Sequence, residues 1–217
     1  MNCTSTVIIN RAVPGSGKTT MTRQITAELS KHDISWAVHS TDEFFMHNNR
    51  YMFDIDKLEE YHKRNLSNFT ASIRNRTEVV ICDNINIAPW QTSPYTDAAR
   101  KNGYQILLIT FEPRELAAHI ASQQVTEEKP DAHNVPEKEL KRFILEYYLF
   151  NPLLDVRTKI NPFIHKNYKW DSNLKKRIPA EGHSPHFDYD KLIVIYPDEY
   201  NEMKQIIGKK VLENIKI

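Results

Sequence analysis

Glycine, cysteine and long apolar runs are all scarce in this chain. Only 5 of its 217 residues are glycine, against about 7 % in average usage. Its 2 cysteines are too few for a disulfide framework or a cysteine-rich metal site. No apolar run approaches the roughly 18 residues that a membrane-spanning helix needs. These absences argue against a collagen, a secreted miniprotein and a membrane-spanning helix, and we expect a cytoplasmic protein with no membrane partner.

The remaining composition is that of an ordinary globular protein. Hydrophobic residues make up 40 % of the chain and charged residues 26 %, close to average usage. The formal net charge of +1 gives no electrostatic reason either to expect or to exclude a nucleic-acid partner. The length allows one large domain or two small ones.

Short apolar runs alternate with amphipathic segments along the chain. TVIIN at 6–10 and YQILLITF at 104–111 have the composition of buried strands, whereas apolar residues between 54 and 75 recur every three or four positions, as in a helix. This alternation predicts an α/β fold with a mostly parallel sheet of about five strands and helices on both faces. We expect a single domain over 1–217, with an irregular insertion of about 151–190 before the last strand.

The first predicted strand leads into a phosphate-binding motif. The P-loop pattern is G-x-x-x-x-G-K-[ST] between a strand and a helix, and here Ala12 stands in place of the first glycine. Backbone N–H groups and a helix N-terminus would hold the phosphates of ATP. Lys18 would reach the β- and γ-phosphates, and Thr19 would ligate Mg²⁺. The motif predicts the three-layer sandwich of P-loop NTPases, and its expected cofactor-binding residues are Pro14, Gly15, Ser16, Gly17, Lys18, Thr19 and Thr20.

Two acids follow predicted strands at the edge where a ligand would bind. In open α/β sheets, ligands bind at the carboxyl ends of the strands, and Asp42 and Asp83 both stand at such ends. We expect Asp42 to act as the general base that accepts a proton from an attacking hydroxyl. Asp83 would organise Mg²⁺ together with Thr19. The alternative is that each acid is only a helix cap or loop residue.

At this point the sequence resembles the polynucleotide-kinase-like P-loop kinases, which include the kinase-like part of 2′,3′-cyclic nucleotide phosphodiesterase. The resemblance spans roughly residues 6–150. The matching motifs are PGSGKTT, STDEFF at 40–45, Tyr51-x-Phe53-Asp54, His62, Asp83-Asn84-Ile85-Asn86, Pro94-Tyr95 and His133-Asn134-Val135-Pro136. It implies that ATP donates a phosphate to a hydroxyl activated by Asp42. It also marks His62 and Asn86 as candidate substrate-site residues, although an inward His is often only a hydrogen-bonded core residue.

The chain departs from this family in the expected lid, about residues 122–136. Relatives usually carry arginines there that hold the donor phosphates, whereas this segment has Lys129 as its only cation and Arg142 follows on the next predicted helix. We treat Lys129 and Arg142 as candidate lid residues. The leading hypothesis is therefore an ATP- and Mg²⁺-dependent kinase acting on a nucleic-acid end, a nucleotide or a small metabolite. An ATP-binding regulatory module with little activity and a toxin-type sugar-nucleotide kinase remain as alternatives.

The insertion is rich in basic and aromatic residues between 157 and 177. Interleaved cations and aromatic rings suit a single-stranded nucleic acid or nucleotide partner. A solvated basic surface next to a few core aromatics is the alternative. The residues concerned are Arg157, Lys159, Phe163, Lys166, Tyr168, Lys169, Trp170, Lys175, Lys176 and Arg177.

Overall fold

A computed structural model describes residues 4–48, 50–126, 132–150, 152, 168–171, 176–179 and 186–215 of the chain. Its central sheet has five strands, which are β1 (Thr6–Ala12), β2 (Trp36–His39), β5 (Val79–Cys82), β6 (Gln105–Phe111) and β9 (Lys191–Ile195). They lie in the order β2-β5-β1-β6-β9, and all of them are parallel. The predicted parallel sheet of about five strands is confirmed.

Six α-helices, two short 3-10 helices and two short antiparallel strand pairs complete the described structure. The helices are α1 (Lys18–Lys31), α2 (Leu58–Arg74), α3 (Pro89–Lys101), α4 (Leu116–Gln123), α5 (Glu137–Leu149) and α6 (Tyr200–Ile215). The short pairs join β3 (Met46–His47) to β4 (Arg50–Tyr51) and β7 (Tyr168–Asp171) to β8 (Lys176–Pro179). Among these elements, no helix is both long enough and apolar enough to cross a bilayer.

Helices cover both faces of the sheet because its strands are apolar on both sides. In β1, Ile8 belongs to the apolar cluster that contains α1 and α6 residues such as Ile25 and Ile207. Val7 and Ile9 point the other way and join the cluster formed with α2 and α3. Side chains alternate between the two faces of a strand, so this division accounts for an unbroken apolar run. The resulting three-layer arrangement confirms the predicted fold class.

A buried arginine attaches α5 to the strand that precedes the P-loop. The Arg11 guanidinium donates to the carbonyls of Tyr147 at 2.6 Å, Phe150 at 2.9 Å and Ile87 at 3.1 Å, and to Thr110 Oγ1 at 2.9 Å. It also lies 3.7 Å from the centre of the Tyr147 ring. Burial lowers the pKa of Arg11 to about 10. The C-terminal end of α5 is thus tied to the end of β1.

Several boundaries differ from those that the sequence suggested. Helix α3 begins at Pro89 rather than Pro94, and the interior Pro94 leaves the Trp90 carbonyl without its helical donor. The Ser93 hydroxyl donates to that carbonyl at 3.3 Å, which helps to explain why the helix continues. Helix α4 begins at Leu116 rather than Glu112. The sequence also gave no indication of the β3–β4 pair or of the 3-10 helices at Thr41–Phe45 and Ile55–Lys57.

Part of the expected lid and most of the expected insertion lie outside the described residues. Lys129 is among them, as are the residues of the basic segment at 157–167 and 172–175. Within the insertion, the structure describes the backbone of β7 and β8, which pair antiparallel. The proposed partner role of the basic segment therefore stays a prediction.

Candidate functional site

The P-loop connects β1 to α1 and contains two glycines in the left-handed region. Gly15 has φ 81° and Gly17 has φ 85°, a conformation that L-residues with a side chain rarely adopt. A Cβ at Gly17 would overlap the Tyr200 hydroxyl, and one at Gly15 would overlap the Ser122 hydroxyl. Helix α1 begins directly after Gly17 without a side-chain cap, so its N-terminus can face an anion.

Residues distant in sequence hold the carbonyls of this loop. His119 Nδ1 lies 2.8 Å from the Pro14 carbonyl, and His119 Nε2 accepts the Arg114 backbone N–H at 3.0 Å. These contacts define the tautomer in which Nδ1 carries the proton, and desolvation lowers the pKa of His119. The Arg114 guanidinium donates to the Gly15 carbonyl. The loop geometry is therefore set partly by the segment that follows β6.

Asp83 lies close to the side chains of Lys18 and Thr19, the first two residues of α1. Lys18 Nζ lies 3.9 Å from Asp83 Oδ1, and the Thr19 hydroxyl donates to Asp83 Oδ2 at 3.1 Å. Asn10 Nδ2 donates to Asp83 Oδ1 at 2.8 Å. Asp83 is 3 % exposed, so its charge is compensated by hydrogen bonds and a nearby cation rather than by water.

Asp42 lies in the 3-10 helix Thr41–Phe45 and contacts two aromatic residues. The Tyr51 hydroxyl donates to Asp42 Oδ1 at 3.1 Å, and His133 Nδ1 lies 3.8 Å from Asp42 Oδ2. The rings of Tyr51 and His133 stack with centroids 3.9 Å apart and planes inclined by 16°. Burial and the neighbouring carboxylate raise the pKa of Tyr51, so the hydroxyl remains a donor at neutral pH.

A buried polar network fixes the start of this 3-10 helix. The Thr41 backbone N–H donates to Asn84 Oδ1 at 2.9 Å, and Asn84 Nδ2 donates to the Tyr95 hydroxyl at 3.1 Å. His62 Nδ1 lies 2.9 Å from Thr41 Oγ1, and desolvation lowers the pKa of His62. His62 thus contacts the residue before Asp42 from the exposed end of the apolar face of α2.

The other candidate residues have different surroundings. Asn86 Nδ2 donates to the Asn10 carbonyl at 2.8 Å, close to Asp83. Arg142 is paired with Glu139 at 2.7 Å and with Glu146 at 2.9 Å. The loop residues Pro14, Ser16 and Thr20 lie within the P-loop or the first turn of α1.

Sequence reasoning missed the residues that act at long range. Arg114, His119 and Tyr200 support the P-loop, and Tyr51 and His133 contact Asp42. Tyr51 and His133 stand in the motifs that carry the resemblance, so a search of those motifs for polar partners of Asp42 could have found them. No motif marks Arg114, His119 or Tyr200.

Comparison with known proteins identifies the family and the fold. The sequence model of a family described as "AAA domain" matches residues 7–149. Human NEDD4-binding protein 2 is 27 % identical over 150 residues, which are 66 % of this chain and 8 % of that protein. The chain thus spans less than a tenth of that relative's length.

Two solved structures share the fold across nearly the whole chain. Chaetomium thermophilum Kti12, solved in complex with ADP-AlF3, superposes with a TM-score of 0.58 at 14 % identity, covering 97 % of this chain and 100 % of Kti12. A kinase-like protein of Chloroflexus aurantiacus superposes with a TM-score of 0.55 at 10 % identity, covering 98 % of this chain and 100 % of its own. Together with the match over 7–149, the P-loop and the five-stranded sheet, these findings establish that the chain belongs to the AAA domain family and has a P-loop kinase-like fold.

Proposed function

We propose that this protein is an ATP- and Mg²⁺-dependent phosphotransferase that moves the γ-phosphate to a hydroxyl acceptor. One observation carries the proposal. The neighbouring strands β2, β5 and β1 are followed in that spatial order by Asp42, Asp83 and the P-loop. Asp42, Asp83 and the P-loop therefore lie in a row along one sheet edge, where they would serve as base, metal-organising acid and phosphate cradle for a transfer between two substrates.

The donor would bind at the P-loop. Its left-handed glycines and the uncapped N-terminus of α1 suit the phosphates of ATP, and Lys18 would neutralise charge on the β- and γ-phosphates. The presence of ADP-AlF3 in the Kti12 structure supports a nucleotide on this fold. In this proposal, 122–136 serves as a lid and 151–190 as an insertion within a single domain.

The residues next to the P-loop fit a magnesium ion. Mg²⁺ prefers oxygen ligands and one or two carboxylates together with substrate phosphates. The Thr19 hydroxyl and the Asp83 carboxylate are such ligands, and they lie 3.1 Å apart. When bound there, the ion would offset the charge that develops on the transferring phosphoryl group.

Asp42 would accept the proton of the acceptor hydroxyl. The acceptor oxygen forms a bond to the γ-phosphorus while the bond between that phosphorus and the bridging oxygen of ADP breaks. Tyr51 and His133 contact the carboxylate, and the Thr41–Asn84 hydrogen bond fixes the turn that carries it. These contacts would orient Asp42 before the acceptor arrives.

The test is Asp42→Asn, because asparagine keeps the size and loses the base. We expect phosphoryl transfer to fall by about 10²–10⁴-fold, the usual contribution of a general base, with the Kd for ATP unchanged. Labelled ATP would be offered with nucleic-acid ends, nucleosides, a sugar nucleotide and small metabolites. Asp97→Asn, at an exposed acid on α3, is the matched control. Normal transfer by Asp42→Asn would refute the assignment.

A nucleotide-binding module without transfer is the second candidate. Arg142 is engaged by Glu139 and Glu146, and 122–136 contains no arginine. A supplied arginine is worth about 10³–10⁵ in rate in related chemistry, so its loss would favour binding without turnover. ATP consumption only with an acceptor would support the transferase, whereas binding with no consumption under any condition would support the module.

A further inference from the structure

A concave pocket lies between the β3–β4 pair and the start of α2. This open concavity has a volume of about 500 Å³, within the range of small-molecule sites. Its apolar lining is Phe45, Met52, Phe53, Ile55 and Tyr61. We call it the aromatic pocket.

The side chains of the aromatic pocket are unusually exposed for their type. Met52 is 60 % exposed, Phe53 54 % and Ile55 44 %. Single exposed apolar residues are common, but exposed apolar groups gathered in one concavity mark a binding site. The fold leaves these groups in water even though its core is otherwise densely apolar.

The rings in the pocket leave at least one face open to a ligand. Phe45 forms the buried base, at 1 % exposure. Its ring centroid lies 5.2 Å from that of Phe53 with planes inclined by 45°, and 4.8 Å from that of Tyr61 with planes inclined by 65°. None of these pairs is stacked in parallel, so the exposed Phe53 ring can still stack on a flat ligand.

The base of the pocket is one side chain away from the proposed general base. The Phe45 ring packs on the Tyr51 ring at 5.8 Å, and the Tyr51 hydroxyl donates to Asp42. The Met52 backbone N–H also bonds to the Phe45 carbonyl at 2.9 Å, which holds the pocket wall against the same 3-10 helix. Asp42 and Phe45 are three residues apart in that 3-10 helix, so their side chains lie on one face of it, and an arm attached to a ligand in the pocket would have to pass around the Phe45 and Tyr51 rings to reach Asp42.

We infer that the aromatic pocket binds a flat aromatic ring of the phosphate acceptor, which carries its hydroxyl on an attached arm. This inference rests on the proposed function for the role of acceptor. His47, Asp54 and Lys57 also line the pocket and provide polar groups for heteroatoms on the ring. The pocket volume lies in the range of small-molecule sites, which favours a small molecule as the occupant.

Two kinds of acceptor carry such a ring: one has a nucleobase and the other has a non-nucleotide aryl group. Binding would be measured by calorimetry with the donor site saturated by a non-hydrolysable ATP analogue. The probes are adenosine, 4-nitrophenyl glucoside, glucose and a short phenylalanine-containing peptide. We expect adenosine or the aryl glucoside to bind, and the one that binds identifies the source, whereas glucose should not bind.

Phe53 is the residue to change, because its exposure allows truncation without loss of the core. Stacking on an aromatic side chain is worth about 1–3 kcal/mol per base, so Phe53→Ala should raise the Kd by about 5- to 150-fold. Phe53→Tyr should restore binding. Leu145→Ala, at another exposed apolar residue on α5, is the matched control and should bind as the wild type does.

Each outcome decides between the alternatives. The inference is overturned if neither aromatic probe binds, if Phe53→Ala leaves the Kd unchanged, or if only the peptide binds. Failure of the proposed function has a different signature, since the γ-phosphate of ATP would then be transferred to no acceptor while the aromatic probe still bound in a Phe53-dependent way. Transfer to glucose but to neither aromatic probe would retain the phosphotransferase and refute the aromatic pocket as its acceptor site.

Discussion

Replacement of Gly17 by alanine tests how the P-loop is supported. Gly17 has φ 85°, and a left-handed conformation costs an L-residue roughly 1–2 kcal/mol. The new Cβ would also lie 2.6 Å from Tyr200 Cζ, so the tyrosine must move. It would then lose its 3.2 Å hydrogen bond to the Gly17 carbonyl, which is worth about 0.5–1.5 kcal/mol. We expect Gly17→Ala to lower the free energy of unfolding by about 1.5–3.5 kcal/mol.

Gly103 provides the control because its replacement by alanine carries only the cost of the left-handed backbone conformation. It has φ 77° and no heavy atom within 4 Å of an added Cβ. Gly103→Ala should therefore cost roughly 1–2 kcal/mol. Urea unfolding followed by circular dichroism would measure both. In a Tyr200→Ala background, Gly17→Ala should cost no more than Gly103→Ala. An equal cost for both glycines in the wild type, or a cost at Gly17 that persists without Tyr200, would refute this reasoning.

Two further predictions concern the neighbours of the site. Tyr51→Phe should lower kcat for phosphoryl transfer by about 2- to 12-fold, because it removes one hydrogen bond worth about 0.5–1.5 kcal/mol. The Kd for ATP should not change. An unchanged kcat would contradict a positioning role for Tyr51. Because the pKa of His119 is lowered in the folded state, the unfolded chain binds the proton more readily as pH falls below about 6.5. Wild-type stability should therefore fall faster than that of His119→Gln over this range, and parallel pH profiles from chemical unfolding would argue against a buried neutral His119.

Local sequence was enough to predict the elements that depend on neighbouring residues. The β1–P-loop–α1 unit follows from an apolar run, two glycines and a helical segment, all within 6–31. The prediction of Asp42 and Asp83 at strand ends needed only the assumption of a parallel sheet, because all strands of such a sheet end at the same edge. Helix α3 shows where local sequence was not enough. Pro94 suggested a helix start, but the helix begins at Pro89 and continues through Pro94, helped by the hydrogen bond from the Ser93 hydroxyl to the Trp90 carbonyl.

Tertiary structure decided which strands are neighbours in the sheet and which distant residues contact each other. The sequence predicted parallel strands but not that β1 lies between β5 and β6, which is what brings Asp83 beside the P-loop. Tyr200 contacts Gly17, which is 183 positions earlier in the chain. Arg114 and His119 contact P-loop residues that are about 100 positions earlier. The aromatic pocket likewise depends on how Phe53 and Tyr61 pack on Phe45. Periodicity and motifs report interactions between near neighbours, whereas these contacts form only when distant segments are packed on the same sheet.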